Sequence, residues 1–266
     1  MRESSHQLAA LRRRVARLAG NSKQGGGPQG SRADGWLTSG HADFDRALGG
    51  GFARGRVHEL FAADALDAPG AAAFAALLAL RVPGEAPLLW LRTAEAARRS
   101  GCLYAPGVAE LGGDPGRLLL IETADKPALL ASAHDAARCP GSAAVVIESW
   151  GAWPALDLTA GRRLALGARD AGTALLLLRL GAVPVPSVAE TRWAVAPAPS
   201  RALEDNAPGA PAFTLDLLRW RRGPAGGRWK LDWNRDEKCF GGAALSGAVL
   251  PLPARRAADP RGVAAA

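Results

Sequence analysis

The chain has 266 residues, 48% of them hydrophobic, enough for one sizeable core with tails, and it carries a formal net charge of +8. Its three cysteines, Cys102, Cys139 and Cys239, stand far apart with no paired spacing and no neighbouring histidine cluster, a pattern that argues against a disulfide framework or a zinc site and fits a reducing compartment. No leader-like apolar run follows Met1 and no later stretch would span a bilayer without charge, so the expectation is a soluble, cytoplasmic protein without membrane contact, whose basic excess favours acidic surfaces or nucleic acid.

Residues 1–20 place Leu8, Leu11, Val15 and Leu18 at three- and four-residue spacing, with Arg12, Arg13, Arg14 and Arg17 between them. That spacing predicts a basic amphipathic helix. Residues 21–35 are Gly-rich and read as a flexible linker, so the apolar stripe either docks on a partner or belongs to a frayed basic tail. A single domain is expected over residues 36–240, and residues 241–266, rich in Ala, Pro, Arg and Gly, read as a disordered tail.

The domain turns on one stretch. Arg56 to Phe61 is an apolar strand, Ala62 to Gly70 a loop, and an Ala-rich helix follows. A Gly-rich turn between strand and helix is where a P-loop ATPase holds its triphosphate, on backbone N–H groups and a helix N-terminus. Here the chemistry is missing: no Lys, Ser or Thr occurs between Leu60 and Leu80. The loop residues are Ala62, Ala63, Asp64, Asp67 and Gly70, and a carboxylate about 5 Å from a phosphate is repelled by about 3 kcal/mol at an effective dielectric of about 20. The stretch is either a nucleotide loop that has lost its function or an ordinary strand-to-helix turn.

Further strands are expected at Pro87–Leu91, Arg117–Glu122, Ala143–Ser149 and Thr173–Arg179, with helices over Lys126–Arg138 and Ala160–Ala171 between the later ones. Apolar strands alternating with helices, with little two-residue alternation inside the strands, predict an α/β fold with a mostly parallel sheet covered on both faces. His58 and His134 lack triad-like or ligand-like neighbours and read as ordinary. Beyond Arg179 the pattern changes. Thr191–Val195 reads as a short strand, and Phe213–Arg221 with Arg228–Trp233 reads as a hairpin closed by Gly223-Pro224-Ala225-Gly226-Gly227. Arg219, Trp220, Arg221, Arg228, Trp229, Lys230 and Trp233 either bind single-stranded nucleic acid through phosphate contacts and stacking, or form the wet edge of a hairpin with tryptophans on the core face and Trp220 paired with Trp229.

The order Thr38-Ser39-Gly40, Asp43 to Gly51, then Gly55-Arg56-Val57-His58-Glu59-Leu60 resembles the start of the ATPase core of the RecA recombinase family. Combined with the degenerate loop, Arg192-Trp193 and the segment from Trp229 to Phe240, it is similar to the ImuA family, over about Leu37 to Phe240. The resemblance implies a RecA-like core whose sheet is extended by the C-terminal antiparallel strands. Glu148 falls at the Walker B position and Glu95 near the RecA-family catalytic Glu, both as relics, with no cofactor and no metal. It implies an accessory part in SOS mutagenesis and translesion DNA synthesis, beside an ImuB-like Y-family homologue, RecA and an error-prone replicative-type DNA polymerase, with partner contacts at Leu8, Leu11, Val15, Leu18 and the Arg/Trp hairpin. Other readings are a divergent RecA-like ATPase using Glu95 and Glu148, a single-stranded DNA-binding protein, and a cell-division inhibitor like SulA.

Overall fold

A computed structural model describes residues 35–62, 64–201, 204–206 and 209–242. The N-terminal stripe of Leu8, Leu11, Val15 and Leu18, the linker, loop residue Ala63 and the C-terminal tail from residue 243 lie outside the described residues.

The first described elements form a clasp. A two-stranded antiparallel ribbon, β1 (Trp36–Leu37) and β2 (Phe52–Ala53), brackets the short helix α1 (Ala42–Ala47). The Nδ1 of His41 accepts from the Phe44 N–H to start the helix, and the Asp45 carboxylate accepts from the N–H groups of Ser39 and Gly40 at 2.8 and 3.0 Å. Gly50 sits at φ 132°, and a Cβ there would come within 2.8 Å of the Trp36 ring. The glycine run of the Asp43–Gly51 motif is therefore needed for the chain to turn under Trp36.

Then come β3 (Val57–Ala62), α2 (Ala68–Leu80), β4 (Leu88–Thr93), α3 (Ala94–Ser100), α4 (Ala105–Glu110), β5 (Leu118–Thr123), α5 (Lys126–Ala137), β6 (Ala144–Trp150), α6 (Leu158–Ala171), β7 (Ala174–Leu180), β8 (Thr191–Ala198), β9 (Ala212–Trp220), β10 (Arg228–Asn234) and β11 (Cys239–Gly241). The strands join in one nine-stranded sheet, ordered β11-β10-β9-β8-β3-β7-β6-β4-β5. From β8 to β5 neighbours run parallel, and β9, β10 and β11 extend the sheet antiparallel from β8. Observed strand ends differ from those read in the sequence by one or two residues in most cases. The expected pairing of Trp220 with Trp229 is corrected: Trp229 lies opposite Leu215, and Trp220 opposite Thr191 on β8. The β9–β10 ladder ends at Asp216–Arg228, with Leu217 bonded to Gly226 and Gly227, so Trp220 lies beyond it and pairs with β8 alone.

Helix starts follow local chemistry. Thr93, Asp125 and Asp157 each accept a backbone N–H three residues on, capping α3, α5 and α6. One sheet face is covered by α2 and the clasp, with Phe44, Phe52, Phe74, Trp193, Phe213 and Phe240 fully buried. The other is covered by α5 and α6 through Leu129, Ala133, Leu164 and Ala168. Ala71, Ala75 and Ala79 are fully buried, so the alanines of α2 let it lie close on the sheet.

Candidate functional site

The strand-to-helix turn is filled by its own residues. Ala65–Asp67 forms one 3-10 turn between β3 and α2, and Asp64 caps it by accepting from the Leu66 N–H at 2.8 Å. Asp67, at the start of α2, makes no side-chain cap bond. Gly70 packs on the β8 residue Pro197, where a Cβ would meet the proline ring at 3.0 Å. This glycine thus serves helix-to-sheet packing, and the turn carries no cationic or hydroxyl side chain to hold a phosphate. Ala62 is buried and its carbonyl accepts from the Gly181 N–H at 2.8 Å, which fixes the end of β3 beside the end of β7.

Glu148 lies on the face of β6 that α2 covers, with β7 between its strand and β3. It is buried in a cage of donors: Trp90 Nε1 at 2.9 Å, Ser100 Oγ at 2.5 Å and Trp150 Nε1 at 3.4 Å. Trp150 also donates to Ser100 Oγ at 2.9 Å, and the Arg99 guanidinium stands 4.7 Å from its ring centroid. Each Glu148 oxygen is taken up by indole or hydroxyl, so the carboxylate ties α3 to β4 and β6. Glu95, by contrast, is exposed in the first turn of α3 and reaches Arg99 at 3.7 Å across one helical turn. Glu95 thus faces solvent while Glu148 is buried, and Arg99, between Glu95 and the Trp150 ring, is the link from one to the other. Among the described residues, no group of three or more His, Cys, Asp or Glu side chains is placed to hold a metal ion, and no helix is long and apolar enough to cross a membrane.

The hairpin arginines are anchored. Arg228 makes a two-pronged pair with Asp216 at 2.5 and 2.8 Å, and that partner raises its pKa above the ordinary arginine value. Arg219 donates to the Ser187 carbonyl and Arg221 to the Val188 carbonyl, both at 3.2 Å, so the two strap down the loop between β7 and β8. Lys230 stands 3.8 Å from Asp232. The tryptophans turn inward: Trp229 packs edge-on to Phe44 at 5.4 Å, Trp233 is buried and donates to the Leu111 carbonyl at 2.9 Å, and the Trp220 ring lies against Gly223. Trp233 thus offers no stacking face, while Trp220 and Trp229 are half-buried beside the arginines.

No protein-family model matches the chain. Protein ImuA of Caulobacter vibrioides strain NA1000 / CB15N is 35% identical over 194 residues, an alignment covering 69% of this chain and 77% of that protein. The same values hold for Protein ImuA of strain ATCC 19089 / CIP 103742 / CB 15. The chain belongs to the ImuA family. The crystal structure of the RadB recombinase superposes with a TM-score of 0.50 at 16% identity, covering 75% of this chain and 96% of that one. At that identity the likeness concerns fold alone, and the fold is RecA-like: a mostly parallel central sheet flanked by helices, with C-terminal antiparallel strands added.

Within this ImuA-family chain the structure also joins residues whose contact the sequence did not reveal. Glu59 on β3 is buried and accepts from Arg192 Nε at 2.8 Å and from Ser187 Oγ at 2.9 Å, below the loop held by Arg219. Arg192 further donates to the Val185 carbonyl at 2.6 Å. A single polar residue inside an apolar strand gives no sequence signal of its partner more than a hundred positions away. His58 is fully buried, and its role belongs to the protein's stability.

Proposed function

We propose that this chain is a non-catalytic RecA-like accessory protein of SOS-induced, error-prone translesion DNA synthesis. In this reading the domain of residues 36–240 is a binding platform that joins an ImuB-like Y-family homologue, RecA and an error-prone replicative-type DNA polymerase at damaged DNA, and it needs no cofactor. Membership of the ImuA family supports the process. The observation that carries the non-catalytic part is the turn after β3, which lacks Lys, Ser and Thr and is filled by a 3-10 turn capped by Asp64, while Gly70 is committed to Pro197. A phosphate placed there would meet two carboxylates and no cation.

Calorimetric titration of the full chain with magnesium-ATP, run beside a phosphate-release assay, is expected to give neither binding heat nor turnover. Micromolar binding with release of phosphate would overturn the non-catalytic reading, and Glu148→Gln would then ask whether that carboxylate takes part.

The partner-binding part rests on the sequence pattern of Leu8, Leu11, Val15 and Leu18 ahead of a Gly-rich linker, a layout that copies a helix-on-neighbour contact within a filament. Deleting residues 1–30 is expected to weaken RecA binding at least tenfold, measured by surface plasmon resonance. Unchanged affinity would remove that contact from the proposal. A truncation at Ala212 cannot test the hairpin, because it strips Phe213, Leu231, Trp233 and Phe240 from the core. Neutralising Arg219 and Arg221 leaves the core in place and is the cleaner route to the ImuB-like partner.

A further inference from the structure

On the sheet face away from α2, at the carboxyl ends of β6 and β7, the chain buries donors that find no hydrogen-bond acceptor among the described residues. Arg179 on β7 is 4% exposed, and its Nε has no hydrogen-bond partner among the described residues. Its cross-strand neighbour on β6, Ser149, is 2% exposed and its hydroxyl is also unpartnered. Neighbouring strands lie about 4.8 Å apart and paired residues share a face, so the two side chains stand side by side. Trp153, in the loop that follows β6 and packed in the core of this same face, holds a third buried donor without an acceptor, its indole Nε1. Folded proteins leave few such groups unpaired, because each costs about 1–3 kcal/mol.

Charge points the same way. Arg179 and Arg192 both stand by the Phe61 ring, at 5.9 and 5.8 Å from its centroid. The nearby carboxylate, Glu59, is engaged by Arg192 at 2.8 Å, and Arg179 donates no hydrogen bond to it. Burial pushes the Arg179 pKa down, with the Glu59 charge opposing that shift and the Arg192 charge adding to it. Two guanidiniums thus share one carboxylate, and a buried cation without its own counter-ion is costly unless an anion joins it.

We propose that the Arg179–Ser149 corner is a binding site for one small oxyanion of the phosphate class, supplied either as inorganic phosphate or as the phosphate of a nucleotide. A guanidinium and a hydroxyl set side by side match two oxygens of a tetrahedral anion. Arg179 and Ser149 are 4% and 2% exposed, so an extended nucleic-acid backbone cannot lie across both, and the ligand class is one small anion. It sits at the carboxyl ends of parallel strands, where open α/β sheets bind ligands. It lies on the face opposite α2, so it is separate from the turn after β3 and does not depend on the accessory role proposed above.

The test is thermal unfolding of the full chain with inorganic phosphate or AMP, each against sodium chloride at matched ionic strength. The melting temperature is expected to climb with the logarithm of phosphate concentration, by about 5 °C or more at a hundredfold excess over Kd. Ser149→Ala is the decisive variant. Without phosphate it should be at least as stable as the unmodified chain, since an unpaired buried hydroxyl is gone, yet it should bind phosphate about tenfold more weakly or worse. Arg179→Gln should abolish the response. A larger shift with AMP than with phosphate assigns the site to a nucleotide, and equal shifts assign it to the free anion. No shift with either probe, or a shift undiminished in Ser149→Ala, overturns the proposal, and Ser149→Ala decides the matter even if Arg179→Gln does not fold.

Discussion

Replacing Trp193 with alanine is expected to destabilise the protein by about 4 kcal/mol, with a fall of about 10 °C in melting temperature, in urea and thermal unfolding. The indole is fully buried on β8, the strand that joins the parallel part of the sheet to the antiparallel extension. Its ring meets Phe44 at 5.4 Å, Phe52 at 5.7 Å and Trp229 at 5.7 Å, so it links the clasp, β2 and the hairpin in one aromatic cluster. Two losses add. Truncation leaves a cavity that the surrounding strands cannot close, since β3 and β9 are held on either side by backbone hydrogen bonds. It also removes the Nε1–H that donates to Thr191 Oγ1 at 2.8 Å, in a buried setting without water to replace it. A loss below about 1 kcal/mol would mean that the clasp and hairpin are not packed as one unit with the sheet. Trp193→Phe should recover roughly half of the loss, because it restores ring area but not the donor.

This cluster also marks how far the sequence could be read. The strands Ala144–Trp150 and Ala174–Leu180 were legible because parallel strands buried on both faces are continuous apolar runs. The lack of Lys, Ser and Thr in the turn after β3 was legible too, since it needs no tertiary information. What escaped depends on partners distant in sequence. Arg219, Arg221 and Arg228 read as a free basic surface, yet each finds an acceptor, at Ser187, Val188 and Asp216, that only strand pairing brings near. Gly70 read as part of a loop because nothing local indicates Pro197. β11 escaped because three residues, Cys239 to Gly241, carry no periodicity and are a strand only by pairing with β10. Ser149 and Arg179 looked like the polar ends of apolar runs. Their significance lies in what they fail to contact, which no pattern records.

The same limit applied to His58, whose burial predicts a marked pH dependence of stability. The ring is fully buried, packs edge-on to Phe52 at 5.2 Å and holds its two nitrogens in a directed chain. Trp193 Nε1–H donates to Thr191 Oγ1, so that hydroxyl is placed to donate to His58 Nδ1 at 2.8 Å, and Nε2–H donates to the Ala53 carbonyl at 2.9 Å. Nδ1 is therefore an acceptor, and adding a proton sets it against the hydroxyl donor while placing a charge in the core. Burial pulls the His58 pKa down to about 4, against partial opposition from the Ala53 hydrogen bond and Glu190. In the unfolded chain the pKa is about 6.5, so between these values the unfolded state binds the additional proton. The stability is thus fully present above pH 6.5 and is lost as pH falls toward 4. Between pH 7.5 and 4.5 this one group should cost about 2–3 kcal/mol, seen as a lower urea midpoint. His58→Gln keeps a donor and an acceptor but cannot titrate. It should start less stable at pH 7.5 and then lose about 2–3 kcal/mol less than the unmodified chain over the same range. Equal losses in the two proteins would show that His58 is not buried neutral and would break the Trp193–Thr191–His58 chain of hydrogen bonds on which this account rests.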